Sequence, residues 1–99
     1  MEAILVSIII VTKDRPVLAT RAIESVLSQE YSPIELIIVD NQSASPIAVP
    51  TTDKQFKVTV IRTPRMMNAS ESRNFGATKS TGELIGFLDD DDFYLSYKI

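Results

Sequence analysis

Three short segments of this chain consist almost wholly of apolar, largely branched residues: 5–12 (LVSIIIVT), Ile34–Asp40 (IELIIVD) and 83–88 (ELIGFL). A strand with one wet face alternates apolar and polar side chains. A near-continuous apolar run is the signature of a strand in a sheet covered by helices on both faces. Two segments with helical periodicity lie between the runs. In 15–29, Leu18, Ala22 and Val26 with Ala19, Ile23 and Leu27 form one apolar stripe. Asp14 is expected to cap this helix and Pro16 to open its first turn. In 69–80 the residues are mostly small, which allows close packing on a sheet, with Phe75 as the one anchor. Asn68 and Glu71 make a capping-box pair, and Gly82 is expected to supply the stop. A fourth, alternating strand is expected over Lys57–Arg62, and 41–55, with Pro46 and Pro50, reads as loop. The order βαβ, loop, βαβ predicts an α/β fold with an open, mostly parallel sheet and flanking helices.

Ninety-nine residues make one small domain. The apolar stretch 3–11 is too short to span a membrane as a helix, and Glu2 stands where a signal peptide carries positive charge. The chain has no cysteine and no histidine. Disulfides, iron–sulfur clusters and thiol chemistry are thereby excluded, as are the commonest transition-metal ligands. Any metal is expected to be held by oxygen, which favours Mg²⁺, Mn²⁺ or Ca²⁺. Thirteen acids against 10 bases give a net charge of −3, without the basic surplus of a nucleic-acid binder. A cytoplasmic location in a reducing compartment is the expectation, with which the absence of cysteine is compatible.

In an open parallel sheet, ligands bind beyond the carboxyl ends of the strands. Here the first strand runs into Thr12, Lys13, Asp14 and Arg15, the second into Asp40, Asn41, Gln42 and Ser43, and the fourth into Asp89, Asp90, Asp91 and Asp92. Asp14 has a plain alternative role as a helix cap, and Asp40 as a turn former. Four consecutive carboxylates at the lip of an apolar strand repel one another unless a cation offsets them. An Asp-x-Asp arrangement lets one carboxylate take a metal while another meets a sugar hydroxyl or water. A metal held by few carboxylates suggests a phosphate ligand. No glycine-rich phosphate loop is present, so cationic side chains would help to hold the phosphate. Arg73 is the first candidate, with Arg15, Lys13 and Arg65 as weaker ones.

Four stretches together resemble the N-terminal portion of the family 2 glycosyltransferases with the GT-A fold: VSIIIVTKDRPVLATRAIESVLSQEY, IELIIVDNQS, NASESRNFGATKSTGELIGF and LDDDD. They cover most of 4–99, in the family's order. The resemblance implies a Rossmann-like half that binds a nucleotide-diphospho-sugar, most often UDP-linked, with a divalent metal, Mn²⁺ or Mg²⁺. It places Thr12 and Asp40 at the base and ribose, Arg73 at the base or phosphate, Asp89 and Asp90 near the ribose, and Asp91 on the metal. Asp14 and Arg15, in the same turn as Thr12, join the nucleotide-sugar-binding set. Family members transfer the sugar with inversion. The chain departs from the pattern at Val11, Lys13, Gln42 and Ser70, and a proline-containing loop replaces the helix usual after the second strand. It is also less than half as long as the family's catalytic domains, whose later portion holds the acceptor site and general base. Residues 1–99 are therefore expected to be a truncated single domain without transferase activity alone. The competing readings are a sugar nucleotidyltransferase-like fragment, an Asp-dependent phosphotransfer protein, and a non-catalytic module that self-associates through an exposed sheet edge.

Overall fold

In the computed structural model, residues 4–30, 33–45, 47, 49 and 57–90 are described. The chain runs β1 (Val6–Thr12), α1 (Pro16–Leu27), β2 (Ile34–Asp40), β3 (Lys57–Arg62), α2 (Ala69–Thr78) and β4 (Leu84–Asp89). The four strands form one sheet in the order β3-β2-β1-β4, and every pairing is parallel. Val6 pairs with Ile34 and Thr12 with Asp40, so β1 and β2 end level at their carboxyl edge.

The apolar runs divide by residue parity. Ile8, Ile10, Leu36 and Ile38 point to one face and pack with Ala22, Ile23, Val26 and Leu27 of α1. Ile9, Ile37 and Val39 point to the other, with Phe75 and Ala77 of α2 packed against them. Every residue of β2 is buried. This is the expected double covering for β1 and β2, but it fails at the third apolar run. Leu84, Ile85 and Phe87 of β4 are exposed, because β4 is an edge strand and the two helices pack over β1 and β2. The small residues of α2 let it sit close: a Cβ added to Gly76 would lie 2.7 Å from Ile9 Cγ2 and 2.9 Å from Val39 Cγ2.

Helix starts and stops follow the local signals less closely. The capping box of α2 is present, with Asn68 Oδ1 accepting from Glu71 N (2.8 Å) and Glu71 Oε1 from Asn68 N (3.1 Å). Asp14 does not cap α1. The N-cap is Arg15, without a side-chain cap bond, and Pro16 is the first helical residue. Gly82 does not take the left-handed stop conformation. It is small because a Cβ there would lie 2.4 Å from Ser7 Oγ and 2.7 Å from Ser7 N. Of the expected loop 41–55, residues 46, 48 and 50–55 lie outside the described residues.

At the amino-terminal edge of the sheet, Ser7 and Glu35 are buried polar residues within apolar strands. Glu35 Oε1 accepts from Ser7 Oγ and from Thr81 N, both at 2.8 Å. Its Oε2 accepts from Thr81 Oγ1 (3.1 Å) and pairs with Lys57 Nζ at 3.3 Å. Gly82 N donates to Ser7 Oγ (2.8 Å). The cluster joins β1, β2, β3 and the α2–β4 turn. Burial works to raise the Glu35 carboxyl, but the hydrogen bonds from Thr81, Ser7 and Lys57 outweigh it and hold the group below its usual range.

A depressed carboxyl contributes stability that is complete above the unfolded value, about pH 4.3, and fades as pH falls through the folded one. Thermal melts between pH 3 and 7 are expected to show this acid dependence in the wild type and a flatter profile in Glu35→Gln. Glu35→Ala is expected to cost about 3 kcal/mol, because it leaves Lys57 and the Thr81 N–H without their partner. Parallel profiles for wild type and Glu35→Gln would contradict this account.

Candidate functional site

The strand order places a topological switch between β1 and β4: the chain moves outward from β1 to β2 and β3, then returns to the far side of β1. A crevice opens at the carboxyl edge of such a switch. Here it is a cavity of about 430 Å³. Ile9 and Val11 line it from β1, Leu88, Asp89 and Asp90 from the end of β4, and Ala69, Ser72 and Arg73 from the first turns of α2. Thr12, Lys13, Arg15 and Asn41 complete the lining.

Charges around it are arranged in pairs. Arg73 Nη2 meets Asp89 Oδ1 at 3.2 Å, with the two side chains 42% and 64% exposed. Thr12 Oγ1 donates to Asp90 Oδ2 (2.9 Å), and Arg15 Nη1 lies 3.4 Å from Asp90 Oδ1. The exposed Arg73–Asp89 pair is worth about 0–1 kcal/mol, so an incoming ligand can exchange it at low cost, whereas the Asp90 side chain is only 12% exposed. Among the described residues no group of three or more carboxylates gathers. Asp89 and Asp90 supply two at the cavity, which fits a hard cation that shares its coordination with substrate phosphates. Asp91 and Asp92 lie outside the described residues.

Of the residues singled out from sequence, the cavity brings together Thr12, Arg15, Arg73, Asp89 and Asp90. Asp14 and Asp40 are not among its lining; both tie loops together. Asp14 stands at φ 52°. Its N–H donates to Ser43 Oγ (2.9 Å) and its Oδ1 accepts from Ala44 N (2.7 Å). That backbone N–H, and then the Lys13 ammonium, hold the Asp14 carboxyl below the usual carboxylate range. Asp14 lines a second cavity, about 240 Å³, that shares Thr12 and Arg15 with the first. Asp40 is buried; its Oδ1 accepts from Ser43 N (2.9 Å) and its Oδ2 lies 3.4 Å from Arg62 Nη1. Of the weaker cations, Lys13 lines the cavity and pairs with Asp14, while Arg65 pairs with Glu71 at 2.7 Å. Gln42 stands at φ 64°, where glycine is free of strain, and its amide donates to the Thr63 carbonyl.

Asn41 and Ser72 line the cavity without a comparable signal in the sequence. Asn41 N donates to Thr12 O (2.9 Å). Its Nδ2 donates to Met67 O (2.7 Å), and its Oδ1 accepts from Met67 N (3.0 Å) and Thr63 Oγ1 (3.1 Å). It thereby fixes the segment that leads into α2. Ser72 is wholly buried, and among the described residues its Oγ is the buried side-chain polar atom with no hydrogen-bond partner. Such an atom costs about 1–3 kcal/mol.

The sequence pattern of Glycosyl transferase family 2 matches residues 7–99. An uncharacterized glycosyltransferase of Haemophilus influenzae is 39% identical over 94 residues, which covers 95% of this chain and 32% of the relative. In fold, the chain is similar to Staphylococcus aureus TarS 1-349 in complex with UDP-GlcNAc, with a TM-score of 0.73 and 20% identity over 89% of this chain and 27% of that one. It is likewise similar to the mannosyltransferase PcManGT from Pyrobaculum calidifontis in complex with GDP-Man and Mn²⁺, with a TM-score of 0.74 and 18% identity over 90% of this chain and 28% of that one. The fold is therefore that of GT-A glycosyltransferases, and the chain spans about a third of the length of the curated relatives it matches.

The two classes of carboxylate are expected to separate by stability. Asp40→Ala leaves the Ser43 N–H unpaired in a buried turn and is expected to cost about 2 kcal/mol. Arg73→Ala and Asp89→Ala are expected to stay within about 1 kcal/mol of wild type. Urea unfolding of the three variants checks the order; an Arg73→Ala variant as unstable as Asp40→Ala would contradict it.

Proposed function

This chain belongs to Glycosyl transferase family 2, and from that premise we propose that the crevice between β1 and β4 binds a nucleotide-diphospho-sugar, UDP-linked, for an inverting sugar transfer. The observation that carries this reading is the cavity itself. At one switch-point edge it gathers two carboxylates, two guanidiniums and a hydroxyl that pair with one another across its mouth. Arg73, once released from Asp89, is placed to meet phosphate or base. Thr12 and Asp90 offer a hydroxyl and a carboxylate to the ribose. Asp91, beyond the described residues, is the oxygen ligand proposed for Mn²⁺ or Mg²⁺, with Asp89 and Asp90 near the ribose. When bound there, the cation offsets charge on the departing diphosphate. Asp14 and Asp40, which hold turns at the same edge, complete the proposed nucleotide-sugar-binding set, with Asp40 toward the base and ribose. The structural relatives found with UDP-GlcNAc and with GDP-Man and Mn²⁺ support the ligand class. The cytoplasmic location belongs to the same proposal; among the described residues no helix is long and apolar enough to cross a membrane.

Calorimetric titration with UDP, with and without Mn²⁺, tests the reading. Metal-dependent binding is expected in the wild type, with at least a tenfold loss in Asp91→Ala and in Arg73→Ala. The 99-residue chain is expected to transfer no sugar alone, since it spans about a third of its relatives' length. Binding of no nucleotide would overturn the proposal, and measurable transfer would overturn its second part.

A second reading concerns partners. Among the described residues β4 pairs only with β1, and Leu84 and Ile85 of this edge strand are about half exposed. Apolar sheet edges recruit further strands, and we propose that two copies of this chain pair there. Light scattering after size exclusion is expected to show a dimer that Ile85→Lys converts to monomer; a monomeric wild type would remove this reading.

A further inference from the structure

Among the described residues the hydroxyl of Ser72 stands apart in being both buried and unpartnered. Three helical and post-helical hydroxyls close on the carbonyl three residues before them: Ser25 on Ala22 O, Thr78 on Phe75 O and Ser80 on Ala77 O, each at 2.7 Å. The same local solution is open to a serine in α2, yet Ser72 Oγ has no partner among the described residues and is shielded from solvent. The residue lines the cavity, between Arg73 on its own helix and Ile9 and Val11 on the sheet. The other polar residues of the lining have partners elsewhere. Asn41 uses both ends of its amide on the Thr63–Met67 segment, Thr12 donates to Asp90, and Arg73 pairs with Asp89. Because no hydrogen bond holds the Ser72 hydroxyl, rotation between its staggered χ1 positions breaks nothing.

A buried polar atom left without a partner, on a residue that lines a cavity, is suited to a partner that arrives with a ligand once the hydroxyl turns toward it. The cavity has two chemical ends. Asp89 and Asp90 stand on the β4 side, where only a metal-compensated diphosphate or neutral hydroxyls are tolerated. Away from them the lining includes the apolar Ile9 and Val11 of β1 and Ala69 of α2, with Ser72, Arg73 and Asn41 among them. A neutral hydroxyl beside apolar side chains suits a flat, neutral ring with hydrogen-bonding edges better than a phosphate, for which the guanidinium of Arg73 is the matching group.

We infer that Ser72 is a specificity-determining residue of this site, whose hydroxyl hydrogen-bonds the edge of the donor's nucleobase. The inference rests on the nucleotide-sugar reading above and adds the side chain that distinguishes a nucleotide from its diphosphate alone. Loss of one neutral hydrogen bond predicts a drop in affinity of roughly tenfold or less.

The test compares wild type with Ser72→Ala by calorimetry against two probes, UDP and pyrophosphate, each with Mn²⁺, and by thermal melting. Alanine removes one atom and an unsatisfied polar group, so the variant is expected to fold with an equal or higher Tm. The expected result is a loss of UDP affinity of about five- to tenfold, with pyrophosphate affinity unchanged within about twofold. Unchanged UDP affinity with a raised Tm would show Ser72 to be a packing residue only and overturn the inference. An equal loss for both probes would assign Ser72 to the diphosphate or to the placement of α2, and overturns it as well. If wild type binds UDP no better than pyrophosphate, the base is not read and the inference fails while the diphosphate site stands. If wild type binds neither probe, the nucleotide-sugar reading and the inference fall together.

Discussion

The seven-residue parallel ladder between β1 and β2 is the constraint on which the rest depends. Parallel strands cannot be joined by a tight turn, so α1 must cross over one face of the sheet, and the return to β4 brings α2 across the other. Both central strands are then covered on each side, and every ligand-competent backbone end is pushed to the carboxyl edge. Burial of this kind leaves little freedom of register. A one-residue slip would send Ile9 and Ile37 toward α1 and Ile8 and Leu36 toward Gly76, where a single methyl already has no room.

Polar residues serve opposite purposes at the two edges of the sheet. At the amino-terminal edge, Glu35 is saturated by Ser7, Thr81 and Lys57, and it holds the α2–β4 turn against β1. At the carboxyl edge, Asp14, Asp40 and Asn41 are spent on turns and bring three loops into contact around the crevice. Only within that frame are Arg73 and Asp89 left in a weak, exchangeable pair. The rigidity of the first group is what lets the second remain adjustable.

Most of the fold was legible because its signals are local and periodic. Four strands and two helices fall within a few residues of where apolar spacing places them, and the Asn68–Glu71 box is a contact within one turn. Cap and stop residues were less legible. Asp14 has the composition of a cap but is drawn away by Ser43 and Ala44, 29 and 30 residues later in the chain. Gly82 resembles a helix stop, yet its size answers to Ser7, 75 residues away.

By itself, then, the sequence determined the element order and a parallel sheet whose two central strands are covered on both faces, because apolar periodicity is carried within each segment, and four quoted stretches carried the resemblance to the family. It also placed acids at three strand ends. Only the tertiary structure decided which of them share a cavity. Carboxylates of one type, at ends of one type, part into the loop-binding Asp14 and Asp40 and the cavity-lining Asp89 and Asp90. The reason is that a carboxylate goes to whichever donors lie within hydrogen-bond reach once the strands are registered. That choice turns on distances of about 3 Å between residues far apart in the chain, which no local pattern records.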